Sequence, residues 1–388
     1  MRNLAIIIII AACLLSCGHN STMQQAKSTN QGNLRFEKNR LIVSAMLADS
    51  TAMEFEFDSG CVNGYANIDS ATLERVSKLQ TQPNTSNQIA LQVHGRNLSY
   101  KYFINQQTRP LIGLNCKDSL RRWAVSLSQN RLEIIPDDSL VNTDRYYAIP
   151  IRIKYGLLSI AELPITFYKN GQAYSFKRSF LVDTGTPMAF CIMDPDSELM
   201  NFVNSIPHCQ YDDALTEIFN RQGRAREHIK FILDSVAVQS FVVGRASCNI
   251  DIGVRSTRKE FGGDVVGTIG MGILKNFDMV FDYRGSQLLI APHGIEMPYY
   301  EQAESGLGFT YSKNLRVSFV QRGHNAHKSG LRPGDKIVSI NDIPRDRLLD
   351  SKVMDSLRML PDNTPLNLKI IRNDKDVTIE YHTLNRLK

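Results

Sequence analysis

"SFLVDTGTPMAF", residues 179–190, decides how the chain is read. An apolar run, Phe180-Leu181-Val182, meets Asp183-Thr184-Gly185, and apolar residues resume after Pro187. The pattern predicts a strand that ends on buried ground with a carboxylate at its tip. Burying a lone carboxylate is costly, or forces it to take up a proton, so Asp183 calls for a partner. Upstream, "MEFEFDSGCVNGYANI" (53–68) offers one. Met53, Phe55 and Phe57 alternate as a half-buried strand does, and Asp58-Ser59-Gly60 follows directly.

What lies downstream of each tripeptide strengthens the match. After the first comes "LIGLNCKDSLRRWAVSLSQNRLEIIP" (111–136), and after the second "TIGMGILKNFDMVFDYRGSQLLIAP" (268–292). Both read Ile-Gly, a polar break, an apolar strand, a turn, and an apolar strand ending in proline. Gly113 to Pro136 is 23 positions and Gly270 to Pro292 is 22, so the spacing repeats as well as the pattern. The turns fall at Ser128-Gln129-Asn130 and Arg284-Gly285-Ser286, where a β-hairpin needs them. From Asp58 to Gly113 is 55 positions and from Asp183 to Gly270 is 87, which predicts insertions in the second copy. The chain duplicates one all-β unit.

Each unit resembles a lobe of the pepsin and retropepsin class of aspartic proteases, over roughly residues 33–298. The resemblance implies two β-barrel lobes, 33–145 and 146–298, each contributing one aspartate, with Asp58 and Asp183 as the catalytic pair. It also implies that Ser59 and Thr184 cross-link the two turns through hydrogen bonds to the opposing backbone. Gly60 and Gly185 are expected to permit close approach and unusual backbone angles. Cys61 departs from the family's pattern, standing where a small hydroxyl residue or alanine is usual; Thr186 fills that place in the second lobe. "ALQVHGRNLSYKYF" (90–103) turns at His94-Gly95-Arg96 and is a candidate for the hairpin over the first-lobe site. Tyr100 and Tyr102 lie on it; simple packing is the commoner role for a tyrosine at strand spacing.

After the second unit, "GLGFTYSKNLRVSFVQRGHNAHKSGLRPGDKIVSINDIP" (306–344) resembles a PDZ domain, covering about residues 302–388. In that resemblance the loop Gly306-Leu307-Gly308-Phe309 offers backbone N–H groups to a terminal carboxylate, and the strand beyond it pairs with a peptide. "RDRLLDSKVMDSLRML" (345–360) has helical spacing and would wall the groove; a hairpin turning at Asn373-Asp374 closes the module.

The opening "MRNLAIIIIIAACLLSC" pairs Arg2 with an apolar stretch too short to span a bilayer comfortably, so it reads as a secretory signal. Leu14-Leu15-Ser16-Cys17 resembles a bacterial lipobox, which implies that residues 1–17 end at a lipidated Cys17 and that 18–32 form a polar tether in the cell envelope; no acidic run follows Gly18, so the anchored protein is expected to face the periplasm. Five cysteines remain beyond Cys17, an odd number with no metal-ligand spacing, and neither a metal nor a cofactor is expected.

With 43% hydrophobic and 22% charged residues, the chain has an ordinary globular composition. Its net charge of +6 is scattered without a basic run, which argues against nucleic acid as a partner. The expectation is therefore a mostly β protein: two acid-protease-like lobes followed by a PDZ-like α+β module. It would act as an envelope-anchored aspartic endopeptidase on peptides or proteins, with a C-terminal peptide as ligand of the module. The alternative is a catalytically silent lipoprotein that captures peptides in the same cleft and groove.

Overall fold

The structure is a computed structural model. It describes residues 32–47, 50–61, 65–68, 74, 88–104, 110–114, 122–136, 139, 142–155, 158–213, 227–252, 256–297, 306–310, 315–349, 353, 356–357 and 360–384. The signal-like segment, Cys17 and the tether to residue 31 lie outside these, as does Cys116.

The first unit runs through β1 (Leu34–Glu37), β2 (Arg40–Leu47), β3 (Ala52–Asp58), β4 (Tyr65–Ile68), β5 (Gln88–Val93), β6 (Arg96–Ile104) and β7 (Leu111–Gly113). It closes with the hairpin β8 (Arg122–Ser126) and β9 (Arg131–Ile134). The second runs through β10 (Tyr147–Lys154), β11 (Leu158–Lys169), β12 (Gln172–Val182), β13 (Phe190–Ile192), β14 (His208–Asp213), β15 (Glu227–Leu233), β16 (Ser235–Val238), β17 (Phe241–Val243), β18 (Ala246–Ile252) and β19 (Val265–Ile269). Its closing hairpin is β20 (Phe277–Asp282) and β21 (Gln287–Pro292).

The duplication is visible in the pairing itself. The strand that ends at the aspartate, β3 or β12, runs parallel to the Ile-Gly strand, β7 or β19. The short strand after the turn, β4 or β13, is antiparallel to that Ile-Gly strand and parallel to β6 or β18. The same mixed arrangement thus occurs twice. Around this arrangement the described residues of the second copy also carry the helix Ser197–Ser205, the β14–β15 and β16–β17 hairpins and the short helix Thr257–Phe261. In both closing hairpins the turn ends on a residue with positive φ, Asn130 at 54° and Ser286 at 51°.

The two closing hairpins meet edge to edge. β8 pairs antiparallel with β20, Trp123 opposite Phe281 and Val125 opposite Met279, giving the order β9-β8-β20-β21-β10 among the described strands. Strands that match in the repeat are therefore partners in space, which relates the units by an approximate two-fold axis near Ala124 and Val280. Trp123, the chain's only tryptophan, is fully buried there and stacks on Phe57 of β3, with ring centroids 5.9 Å apart. Arg122 is bonded to Asp282 at 3.2 Å, and buried Asp278 accepts the Ser128 N–H at 3.0 Å. At the far edge, Leu132 of β9 donates its N–H to Asn33 Oδ1 at 2.8 Å and accepts from Asn33 Nδ2 at 3.0 Å. One continuous core fills both units.

β5 joins β2, and β6 joins β4, while Leu91, Val93, Leu98 and Tyr100 point into the core. Both outer edges of the 88–104 hairpin are therefore paired within the unit's own sheet, and it forms a wall of the unit, not a free-standing cover. Tyr100 is buried and donates its hydroxyl to the Gly113 carbonyl at 3.1 Å.

The C-terminal module has its own core around Val317, Val320, Ile337, Leu368 and Ile370. Its strands are β22 (Leu307–Thr310), β23 (Arg316–Gln321), β24 (Lys336–Ile340), β25 (Ile343–Pro344), β26 (Pro365–Arg372) and β27 (Lys375–His382). The β26–β27 hairpin turns at Asn373-Asp374, both at positive φ. Residues Arg345–Leu348 are helical, as are Val353, Ser356 and Leu357, and positions 350–352 and 354–355 lie outside the described residues. Buried Asp335 takes two bonds from Arg372, at 2.6 and 2.7 Å.

The module is stitched to the second unit. β14 pairs antiparallel with β23 over Tyr211–Asp213 and Phe319–Gln321, on the edge of β23 opposite to β22. Phe319 packs there against Cys209 and Ile232.

Candidate active site

Asp58 and Asp183 sit at the ends of β3 and β12, in two turns that face each other. Each aspartate accepts the N–H of the glycine two residues on: Gly60 to Asp58 Oδ1 at 2.7 Å, Gly185 to Asp183 Oδ1 at 2.9 Å. Between the turns lies a reciprocal lattice of four buried hydrogen bonds. Ser59 donates its N–H to Thr184 Oγ1 at 2.8 Å and its hydroxyl to the Val182 carbonyl at 3.0 Å. Thr184 answers with its N–H to Ser59 Oγ at 2.9 Å and its hydroxyl to the Phe57 carbonyl at 3.1 Å. Ser59 is 1% exposed and Thr184 0%, so no water competes and the lattice fixes the turns' separation.

The glycines serve close approach alone. Neither Gly60 nor Gly185 is among the residues at positive φ, so the expected unusual backbone angle is absent. An added Cβ at Gly60 would lie 2.6 Å from Asp183 Cγ, and one at Gly185 would run into Asp58 Cγ. Each glycine makes room for the other unit's carboxylate.

Burial first, then the Asp183 charge and a hydrogen bond to Asp183, push the Asp58 carboxyl up to about 8. Burial and the neighbouring charge thus favour the protonated form of the Asp58 carboxyl in neutral solution. Thr186 Oγ1 also donates to Asp183 Oδ2 at 2.8 Å. Asp183 has a further neighbour in Cys191, whose thiol donates to Asp251 at 3.2 Å and is pushed up by burial. The described cysteines, Cys61, Cys191, Cys209 and Cys248, form no disulfide with one another.

In the C-terminal module, Gly306 has φ of 70° and lies against the buried His324 ring, while Gly308 is covered by Phe319. Leu307 and Phe309 pack into the module's core. The Gly306 carbonyl accepts the Gln321 N–H at 2.8 Å, which anchors the loop to β23. Among the described residues β22 has β23 as its only partner strand, so its outer edge has the geometry that accepts an extended peptide. The sequence pattern alone did not single out Gln321, His324 or Phe319, whose roles arise from what folds over the two glycines.

The family model for the PDZ domain matches residues 299–371. The C-terminal module is thus a PDZ domain, and its paired strand β27 continues past the matched range. No curated protein matches the chain.

Proposed function

We propose that the chain is an aspartic endopeptidase of the two-lobed acid-protease type, carrying a PDZ domain for protein or peptide partners. The observation that carries this reading is the pair of carboxylates at interlocked, symmetry-related turns, with burial and mutual charge holding one proton between them. With a peptide bound, the ionised aspartate takes a proton from a water whose oxygen forms a bond to the scissile carbonyl carbon. The protonated aspartate gives its proton to the carbonyl oxygen as that bond forms. The resulting gem-diol collapses as the C–N bond breaks: the protonated aspartate gives its proton to the departing nitrogen, and the ionised one takes a gem-diol hydroxyl proton, which leaves a carboxylic acid and restores the pair's single proton. Lipobox-like Cys17 supports the further reading of an envelope-anchored, periplasm-facing enzyme.

A second reading, a silent peptide-binding lipoprotein, is favoured by the family match being confined to the PDZ domain. One experiment divides the two. The purified chain is incubated with an unfolded protein across pH 3–8, with and without a pepstatin-type inhibitor. Cleavage that the inhibitor stops, and that Asp183→Asn abolishes, supports the enzyme; intact substrate with measurable peptide binding supports the silent binder.

A further inference from the structure

The two active turns differ most tellingly at one position. Cys61 follows Asp58-Ser59-Gly60, and Thr186 follows Asp183-Thr184-Gly185. Their backbones match: the Cys61 N–H donates to the Asp58 carbonyl and the Thr186 N–H to the Asp183 carbonyl, each at 3.3 Å. Both back onto the glycine of the neighbouring parallel strand. An added Cβ at Gly113 would lie 2.8 Å from Cys61 Cβ, and one at Gly270 would collide with Thr186. The side chains therefore occupy the same place, but their chemistry differs. Thr186 presents a hydroxyl, which binds Asp183 Oδ2 at 2.8 Å, whereas Cys61 presents a thiol, a weak donor. A strong donor to a carboxylate favours its charged form.

The charged and titratable surroundings act in the same sense. Asp58 faces Asp183 across the turns, Cys61 on its own turn, and Glu56 on its own strand, whose carboxylate is bonded to Arg40 of β2 at 2.7 Å. Asp183 faces Asp58 and, from β13, Cys191, which donates to Asp251 of β18. Glu56 adds negative charge on the Asp58 side and raises its proton affinity.

We infer that Cys61 is a positioning residue that leaves the shared proton on Asp58, making Asp58 the general acid and Asp183 the general base. The catalytic meaning rests on the peptidase reading, whereas the proton's location does not. The elevated proton affinity of Asp58 agrees with this assignment.

The test reads the proton directly. The full chain is labelled with ¹³C at aspartate Cγ, the two carboxyls are assigned with Asp58→Asn and Asp183→Asn, and each is titrated by NMR. In the wild type the carboxyl that stays protonated at neutral pH is expected to be Asp58. Cys61→Thr should lower its midpoint by about one pH unit or more, a tenfold change in proton affinity, while Cys61→Ala, which removes at most a weak donor, does not lower it. Thr186→Val keeps the test decisive if Cys61→Thr does not fold: it should raise the Asp183 midpoint and narrow the gap. Finding the proton on Asp183, or identical titrations for Cys61→Thr and Cys61→Ala, overturns the inference. Hydrolysis assays on the same samples separate the two readings. Resolved midpoints without cleavage sink the peptidase and keep the proton assignment; cleavage with the proton on Asp183 does the reverse.

Discussion

Replacing Asp58 with asparagine should make the lobes more stable at alkaline pH. The amide keeps an oxygen to accept the Gly60 N–H and an N–H to offer Asp183, so it mimics the neutral acid. In the unfolded chain the Asp58 carboxyl ionises near 3.8, whereas the fold holds it up to about 8. The folded protein thus keeps a proton that the unfolded chain has released. The stability this group lends is complete below about pH 4 and is lost as pH rises toward 8. Four decades of proton affinity at about 1.4 kcal/mol each set a ceiling of about 6 kcal/mol. Relaxation around the buried pair lowers the realised value, and about 2–4 kcal/mol is expected between pH 4.5 and 8.5. Urea denaturation at a series of pH values, followed through Trp123 fluorescence, measures it; the PDZ domain has no tryptophan and stays silent. The difference between variant and wild type should grow steadily in the variant's favour across that range. Parallel stability curves would refute the claim that the fold holds a proton on Asp58.

Four further outcomes are expected. On the peptidase reading, Asp183→Asn should lower cleavage of an unfolded protein by a factor of about a thousand or more, with circular dichroism unchanged, because one carboxylate of the pair is lost while the Ser59–Thr184 lattice remains. Trp123→Ala should cost about 3–5 kcal/mol in lobe stability, measured by calorimetry, since a fully buried indole joins β3 to the sheet between the lobes. Arg372→Ala should cost the PDZ domain about 3–5 kcal/mol by leaving buried Asp335 uncompensated, read as a lowered PDZ transition with the lobe transition kept. On the same reading, deleting residues 302–388 should raise KM for long substrates with free C-termini and hardly change it for short peptides; equal losses for both would show that the domain only buttresses β14.

Much of the site was legible because its signals are local. A tripeptide at a strand end, Ile-Gly some way on, and two hairpins of near-equal span all lie in contiguous sequence, and alternation at Met53, Phe55 and Phe57 is a period any strand must show. What was not legible depends on distant neighbours. The need for Gly60 and Gly185 comes from the opposite unit's carboxylate, which no local conformational rule reveals. The 88–104 hairpin has the pattern of a cover but is a wall, because β2 and β4 take its edges. The seam between β14 and β23 joins residues about a hundred positions apart, and Phe319 would pass for an ordinary strand residue without Cys209 and Ile232 beside it.

The sheet between the lobes also explains how so many exposed backbone groups stay out of trouble. Strand edges recruit other strands, and a sheet made from two closing hairpins would present one at each end. Here the β9 end is occupied by the Asn33 side chain, whose amide imitates a peptide group on both sides of Leu132. At the other end, β10 spends one edge on β21 and carries Pro150, which has no N–H to offer. A strand arriving from a second molecule meets a plugged ladder at one end and a missing rung at the other. Two side chains thus keep a sheet built by self-complementary pairing from continuing that pairing into a fibre.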